Sequence, residues 1–182
     1  MPQALTPKEV HDRLVEKFGE EVLEFQENPF NPASKVQPER FLEICTWLAT
    51  DPDLYFDSLM CVSGADYGAK LKLGVVYNIF SMRHRHTYCL KVELPRDNPH
   101  VPSIANLWRV GDWLERETFD MYGIVFDGHP DHRRILCPDD WEGWPLRKDY
   151  VVQEYYHGVK VPYSFGEGDR DGTVKIKKGL EE

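Results

Sequence analysis

The sequence LKLGVVYNI at residues 71–79 is followed closely by TYCLKVEL at residues 87–94. In both stretches large apolar side chains alternate with polar or small ones, and this period of two is typical of a strand with one buried face. The short basic segment RHRH at residues 83–86 predicts a hairpin connection with a solvated tip. The two stretches therefore predict an antiparallel pair of strands within a sheet.

The sequence on either side of this pair predicts helices as well as strands. Thr6 and Glu9 form a capping box, and an apolar stripe that ends at Phe18 follows at helical spacing. The predicted helices span residues 7–18, 38–49 and 103–122, and the other predicted strands span residues 22–26 and 54–62. The last helix is expected to bend at Gly111 and to end at Gly123. We expect an α+β fold, with a small four-stranded mixed or antiparallel sheet packed by helices.

Composition excludes several classes of protein. The chain has 182 residues, a hydrophobic content of 41% and a formal net charge of −9, so it can bury a core and has the wrong sign for binding nucleic acid. No run approaches the roughly 18 uncharged apolar residues of a membrane helix, so we expect membrane association only through partner proteins. The four cysteines contain no close pair, and we expect no zinc or iron–sulfur site in this chain.

The sequence changes character after residue 125. Residues 126–165 have neither helical nor alternating periodicity, yet they are rich in Trp and Tyr. We expect an α/β domain at residues 1–125, an extended subunit-docking arm at residues 126–165 and a mobile tail at residues 166–182. Packing of the arm against its own domain is the alternative.

Four charged residues are concentrated in the last predicted helix. Arg116 and Asp120 are four residues apart and could pair along the helix, whereas Glu117 must find another partner. Arg133 and Arg134 are the nearest candidates in the sequence. An ion-pair network that fixes the helix to the following loop is favoured over acid–base catalysis.

A metal site is a second hypothesis for this region. His129 and His132 with Asp120 upstream could bind a divalent cation and serve a metal-dependent hydrolase. Pro130 breaks any helix that would place both imidazoles on one face. A hydrogen-bonding role for His129 in a turn is therefore favoured.

One segment resembles the signature of a known family. ERETFDMYGI at residues 115–124, GHP at 128–130 and RRIL at 133–136 are similar to the 30-kDa subunit of proton-pumping NADH:quinone oxidoreductase, respiratory complex I, and PDDWEG at 138–143 and PLRKDY at 145–150 extend the resemblance. The residues that the resemblance assigns to the signature and the subunit interface are Glu115, Arg116, Glu117, Asp120, Gly123, His129, Pro130, Arg133, Arg134, Trp141, Glu142, Gly143, Pro145, Leu146, Arg147, Lys148, Asp149 and Tyr150.

The resemblance implies a subunit without a redox centre, with no catalytic, cofactor-binding or metal-binding residue of its own. It implies the peripheral arm of the complex, at the cytoplasmic face of the bacterial cell membrane. The complex would use FMN, iron–sulfur clusters, NADH and a quinone. The implied partners are chiefly the hydrogenase-like subunit, with the cluster-bearing subunits B and I nearby. An adaptor role in a related hydrogenase-like or photosynthetic complex is the alternative within this resemblance.

Overall fold

The computed structural model describes residues 4–68, 72–161 and 175–177. The helices are α1 (Pro7–Phe18), α2 (Phe41–Thr50) and α3 (Gly111–Tyr122), with one 3-10 turn at Gly19–Glu21. The strands are β1 (Val22–Gln26), β2 (Ala33–Val36), β3 (Ser58–Asp66), β4 (Leu73–Ser81), β5 (His86–Leu94), β6 (His100–Pro102), β7 (Val125–Asp127), β8 (Val151–Gln153), β9 (Tyr155–Tyr156), β10 (Val159–Lys160) and β11 (Lys175–Lys177).

A five-stranded mixed sheet with the order β1-β2-β5-β4-β3 organises the fold. β2 runs parallel to β5, and the other neighbouring strands are antiparallel. The predicted hairpin is β4–β5, in which Tyr77 lies opposite Leu90 and Ile79 lies opposite Tyr88. The predicted α+β class with a mixed sheet is therefore confirmed.

The predicted number of four strands is wrong because Ala33–Val36 forms β2. These four residues show no clear alternation, so there is no local strand signal in this stretch. Their pairing is tertiary: Ala33 lies opposite Cys89 and Val36 lies opposite Val92 of β5. β2 thereby joins β1 to the predicted hairpin.

Strand β3 lies further along the chain than predicted. It covers Ser58–Asp66 rather than residues 54–62, because the residues predicted as a turn continue to pair with β4 up to Asp66 and Leu73. The Tyr122 ring of α3 packs against Gly64 of this strand. A Cβ atom at Gly64 would overlap the ring, so glycine leaves the room that Tyr122 needs.

The hairpin tip is only partly solvated. Arg83 and Arg85 are exposed as expected, but His84 and His86 are buried. The Nε2 atom of each histidine lies within hydrogen-bond distance of a backbone carbonyl from the segment after α2, at 2.9 Å for His84 and 2.7 Å for His86. The prediction of a solvated tip is therefore wrong for the two histidines, because these contacts cover them.

Helix α1 has the predicted bounds and a reciprocal capping box between Thr6 and Glu9. Helix α2 starts three residues later than predicted, at Phe41. Helix α3 starts at Gly111 rather than at residue 103, and residues 103–110 form turns. The Glu115 carboxylate accepts hydrogen bonds from this preceding segment, which folds back over the first turn of α3.

The core lies between the helices and one face of the sheet. It includes Leu14 of α1, Phe41 of α2 and Tyr77 of β4, each fully buried. The Phe41 and Tyr77 ring centroids are 4.5 Å apart. α3 packs on β3 at the edge of this core, so its charged residues lie where the domain meets the chain that follows.

The chain after α3 returns to the domain. Phe126 of β7 is buried and pairs in parallel with Val101 of β6. Further on, β9 and β10 form an antiparallel pair, and β11 runs parallel to β8. Apart from β11, the predicted tail at residues 166–182 lies outside the described residues.

Candidate functional site

Asp120 ties α3 to the segment that follows it. Its side chain is fully buried, and its Oδ1 accepts a hydrogen bond from Arg134 Nη1 at 2.7 Å. Its Oδ2 accepts the backbone N–H groups of Ile135, Leu136 and Cys137 at 3.1, 2.6 and 2.8 Å. Burial alone would raise the pKa of Asp120, but these N–H groups and the guanidinium outweigh burial and lower the pKa.

The Arg116 side chain binds the backbone of the same segment. Its Nε donates to the carbonyl of Arg133 at 3.2 Å and its Nη2 to the carbonyl of Arg134 at 3.1 Å. Its Nη1 lies 3.5 Å from the Asp131 carboxylate. The predicted Arg116–Asp120 pair along the helix is wrong, because residues 131–137 offer both side chains closer partners.

Glu117 has a different environment from its charged neighbours. Its side chain is exposed. The two arginines predicted to pair with it bind other carboxylates, Arg133 that of Asp131 and Arg134 that of Asp120. The predicted pairing of Glu117 is therefore wrong.

Glu115 is the buried carboxylate at the other end of the helix. It accepts Ser103 Oγ at 2.5 Å and the backbone N–H of Ile104 at 2.8 Å. Burial raises the pKa of Glu115 to about 7, against the lowering effect of these two hydrogen bonds, and the nearby Asp112 carboxylate raises it further. Glu115 is thus a titratable group near neutral pH.

His129 is held in a turn beside Glu115. Its ring is buried, and its Nδ1 accepts the backbone N–H of Asp131 at 3.0 Å. In the neutral imidazole Nε2 therefore carries the proton and donates to the Asp112 carbonyl at 3.1 Å. The same Nε2 lies 3.9 Å from the Glu115 carboxylate.

The ligands of the hypothetical metal site do not converge. His132 Nε2 accepts the backbone N–H of Phe126 at 3.1 Å, and its ring centroid is 5.7 Å from that of His129. Asp120 is committed to Arg134 and to backbone N–H groups. Within the described ranges no three His, Cys, Asp or Glu residues could hold a metal ion together.

Trp144 packs on the carboxyl end of α3. Gly123 adopts a left-handed conformation with φ of 68°, and a Cβ atom there would overlap the Trp144 indole. The indole is 5.1 Å from the Phe119 ring and stacks under the Arg134 guanidinium at 4.5 Å. This part of the predicted docking arm therefore packs on its own domain.

Lys148 and Asp149 are held by Asp66, the last residue of β3, and by Arg96. The backbone N–H of Lys148 donates to Asp66 Oδ2 at 2.8 Å, and the Asp149 carboxylate pairs with Arg96. Arg96 also makes a bidentate pair with Asp66 at 2.7 and 3.0 Å. Burial opposes ionisation of Asp66, but Arg96 and the N–H groups lower its pKa strongly.

Other signature residues of the arm bind α3 or one another. Gly143 O accepts Arg134 Nη2 at 2.9 Å, and the Leu146 N–H donates to the Met121 carbonyl at 3.1 Å. Trp141 Nε1 donates to the Tyr150 hydroxyl at 3.1 Å. The remaining predicted residues differ in burial: Pro145 is half-buried, whereas Pro130 and Glu142 are exposed.

Comparisons with known proteins show which family this chain is similar to. Residues 34–156 match the family described as "Respiratory-chain NADH dehydrogenase, 30 Kd subunit". An NADH-quinone oxidoreductase subunit from Chloroherpeton thalassium is 50% identical over 160 residues, which cover 86% of this chain and 66% of the relative. The subunit of the same name from Chlorobium phaeobacteroides is 46% identical over 155 residues, which cover 84% of this chain and 93% of the relative. The chain belongs to this 30-kDa subunit family. The membership expected from the signature is therefore confirmed.

Solved structures share the fold of this 30-kDa family member. A trypsin-resistant fragment (1–134) of Nqo5 is 28% identical and has a TM-score of 0.56, covering 67% of this chain and 98% of the fragment. A chain of the membrane-bound sulfane sulfur reductase, an archaeal respiratory membrane complex, has a TM-score of 0.66 at 17% identity, covering 80% of this chain and 85% of that one. The second similarity concerns the fold alone.

Three residues of the site in this 30-kDa family member carry no signal in the sequence. Asp66 lies in a segment with the composition of a turn, and neither Arg96 nor Ser103 belongs to a motif. Lys148 and Asp149 are distant in sequence from Asp66 and Arg96. An irregular turn separates Glu115 from Ser103. Sequence reasoning missed these contacts because they depend on how the chain returns to the sheet.

The helices of this family member are short. In the described part of the chain, none is both long enough and apolar enough to cross a bilayer.

Proposed function

We propose that this chain is a non-redox structural subunit of the peripheral arm, in the quinone module, of a membrane-bound NADH:quinone oxidoreductase. Family membership supports the proposal, and one structural observation carries it further. Arg116 and Asp120 of α3 are bound to the segment that contains Arg134, and Arg134 is bound back to α3. These charges brace the junction after α3, which suits a scaffold better than acid–base chemistry.

In this proposal the chain supports electron transfer from NADH to quinone, coupled to proton translocation. Other subunits would bind FMN, the iron–sulfur clusters, NADH and the quinone, and this chain would have no catalytic centre. Its main partner would be the hydrogenase-like subunit, with the cluster-bearing subunits B and I nearby. Partner proteins would hold it at the cytoplasmic face of the bacterial cell membrane.

Exposed apolar side chains around the signature support a docking role. Trp113 of α3 is 64% exposed, Leu136 is 63% exposed and Leu146 is 53% exposed. Glu117 lies one helical turn after Trp113, so the two share a face of α3. Large exposed apolar residues beside a rigid junction are typical of protein interfaces.

The test is affinity purification of the tagged chain from gently solubilised membranes, with visible and EPR spectra of the eluate. We expect co-purifying iron–sulfur signals and NADH:quinone activity that are absent from the chain alone. Iron–sulfur signals without NADH-dependent activity would instead indicate an adaptor in a related hydrogenase-like or photosynthetic complex. A lone chain with stoichiometric metal would contradict the proposal.

Two matched variants sharpen this test. Trp113→Ala removes an exposed ring within the family-matched region, and we expect several-fold lower recovery of the complex. Phe30→Ala removes a ring that is 97% exposed but lies outside that region. Phe30→Ala is expected to leave recovery unchanged, and equal losses would argue against a docking surface on α3.

A further inference from the structure

Arg147 is a half-buried cation at the end of α3. Its Nε donates to the Tyr122 carbonyl at 2.6 Å, and its Nη2 lies 3.5 Å from the Gly123 carbonyl. The guanidinium lies beside the Trp144 indole at 5.8 Å. These contacts fix the side chain in place. A guanidinium has five N–H donors, so several of them remain available.

The neighbouring arginines differ from Arg147 in having carboxylate partners. Arg96 pairs with Asp66 and Asp149, Arg134 with Asp120, and Arg116 lies 3.5 Å from Asp131. Within the described residues, no carboxylate forms such a pair with Arg147. Burial and the nearby Arg96 lower the pKa of Arg147 because both disfavour its charged form, and the smaller effects of Asp149 and Asp66 in the opposite sense do not outweigh them. Helix carbonyls offset only part of a charge, so a half-buried guanidinium of this kind is stabilised by an anionic partner.

Two depressions meet at Arg147 and Trp144. One, of about 580 Å³, is also lined by Asn98, His100 and Val125. The other, of about 240 Å³, is also lined by Tyr150 and Gln153. The Gln153 Nε2 atom is buried and has no hydrogen-bond partner among the described residues. This atom is closed off from solvent, so Arg147 is the group that the depressions offer to a partner. The two depressions share Arg147, Trp144 and Asp149, and we call them together the Arg147 groove.

We propose that the Arg147 groove receives an extended segment of a neighbouring subunit, in which a single Asp or Glu carboxylate is bound by Arg147. This inference rests on the proposed function, because it needs an assembled complex. A peptide carboxylate fits better than a free phosphate, because Asp97 and Asp149 also line the groove and would repel a doubly charged anion. Trp144 and Arg147 also belong to the residue types that dominate interface energies.

The first test replaces Arg147 by lysine in the intact complex. A zero-length carbodiimide joins an amine to a carboxylate only when the two are in contact, and mass spectrometry identifies the joined peptides. For Arg147→Lys we expect the introduced amine to couple to an Asp or Glu of another subunit. Coupling to Asp149 or Glu142 of this chain, or no coupling in a complex that retains the subunit, would overturn the inference while leaving the proposed function intact.

The second test separates docking from folding, and decides the matter if the lysine variant does not assemble. Arg147→Gln removes the charge and keeps an amide donor for the Tyr122 carbonyl. We expect the free full-length chain to unfold at the same or a higher denaturant concentration, while association with the complex weakens at least about tenfold. Lys8→Gln is the matched control, because Lys8 is an exposed cation that lies outside the family-matched region. Parallel losses of folding and association for Arg147→Gln would show a merely structural role and overturn the inference.

Discussion

Glu115 and Asp120 lie on the same helix and are both fully buried, yet their surroundings shift the two pKa values in opposite directions. Asp120 receives three backbone N–H groups and the Arg134 guanidinium, which lower its pKa in spite of burial. Glu115 receives one hydroxyl and one backbone N–H, so that burial dominates and raises its pKa to about 7. The Nε2 atom of His129, which lies 3.9 Å from Glu115, donates to a backbone carbonyl instead.

The difference shows that burial alone does not decide the protonation of a carboxylate. At the carboxyl end of α3, residues 135–137 turn consecutive N–H groups toward one oxygen atom of Asp120. At the amino end, residues 103–104 supply only two donors to Glu115. The first end is a permanent electrostatic cross-link, whereas the second end can gain or lose a proton near neutral pH.

The largest expected effect comes from breaking the cross-link. Asp120→Asn leaves Arg134 without its carboxylate and weakens three backbone hydrogen bonds, so we expect a loss of about 3–5 kcal/mol in the free energy of unfolding. Urea unfolding of the full chain at pH 7 measures it. Glu43→Gln alters an exposed carboxylate that pairs with the exposed Arg40 and should change little. Similar losses in both variants would contradict the contrast between buried and exposed pairs.

The second prediction concerns the titratable end. Because folding raises the pKa of Glu115 from 4.5 to about 7, the folded chain holds a proton that the unfolded chain has released between these values. The contribution of Glu115 to the free energy of unfolding therefore falls as the pH rises from 4.5 to 7, by about 3 kcal/mol in total. Asp120 acts in the opposite sense, and its contribution is lost in acid, as the pH falls below 3.8 and through its lowered pKa.

Glu115→Gln should remove the part of the slope between pH 4.5 and 7 that Glu115 contributes, as measured by urea unfolding across that range. The lowered pKa values of His11, His86 and His132 act in the opposite sense in both proteins. Glu117→Gln changes an exposed carboxylate on the same helix and should keep the slope. An unchanged slope in Glu115→Gln would show that the Glu115 carboxyl is not the group that titrates.

The third prediction tests the packing that closes the carboxyl end. Gly123→Ala places a methyl group against Trp144 at a φ of 68°, and we expect a loss of about 2–4 kcal/mol. Gly128→Ala has a φ of 80° but open space around the new methyl group, so about 1 kcal/mol is expected. Thermal or urea unfolding gives the difference, which reports the Trp144 contact. Equal losses would mean that Trp144 does not pack tightly on Gly123.

The smallest effect on stability is expected at Glu117, the exposed member of the charged group. Glu117→Gln should change the free energy of unfolding by less than about 0.5 kcal/mol. If this face of α3 docks on a partner, recovery of the complex should nevertheless fall. Normal recovery together with normal stability would place Glu117 outside the interface.

The sequence predicted the elements that carry a local period. The alternation at residues 71–79 and 87–94 indicated the β4–β5 hairpin, and the Thr6–Glu9 capping box indicated α1 with its observed bounds. The charged signature indicated the family, because an ordered motif of that length is specific. These features depend on neighbours in the sequence, so they can be interpreted without a structure.

Tertiary structure decided which groups meet. β2 is a strand because β5 offers it a parallel edge, and His84 and His86 are buried because the chain after α2 covers them. Arg116 and Asp120 satisfy the spacing of a helical pair, but residues 131–137 bring closer partners to both. The sequence by itself therefore determined the elements that carry a local period, and the family. The return of the chain over α3 decided the hydrogen-bond partners and, through them, the protonation of each buried carboxylate.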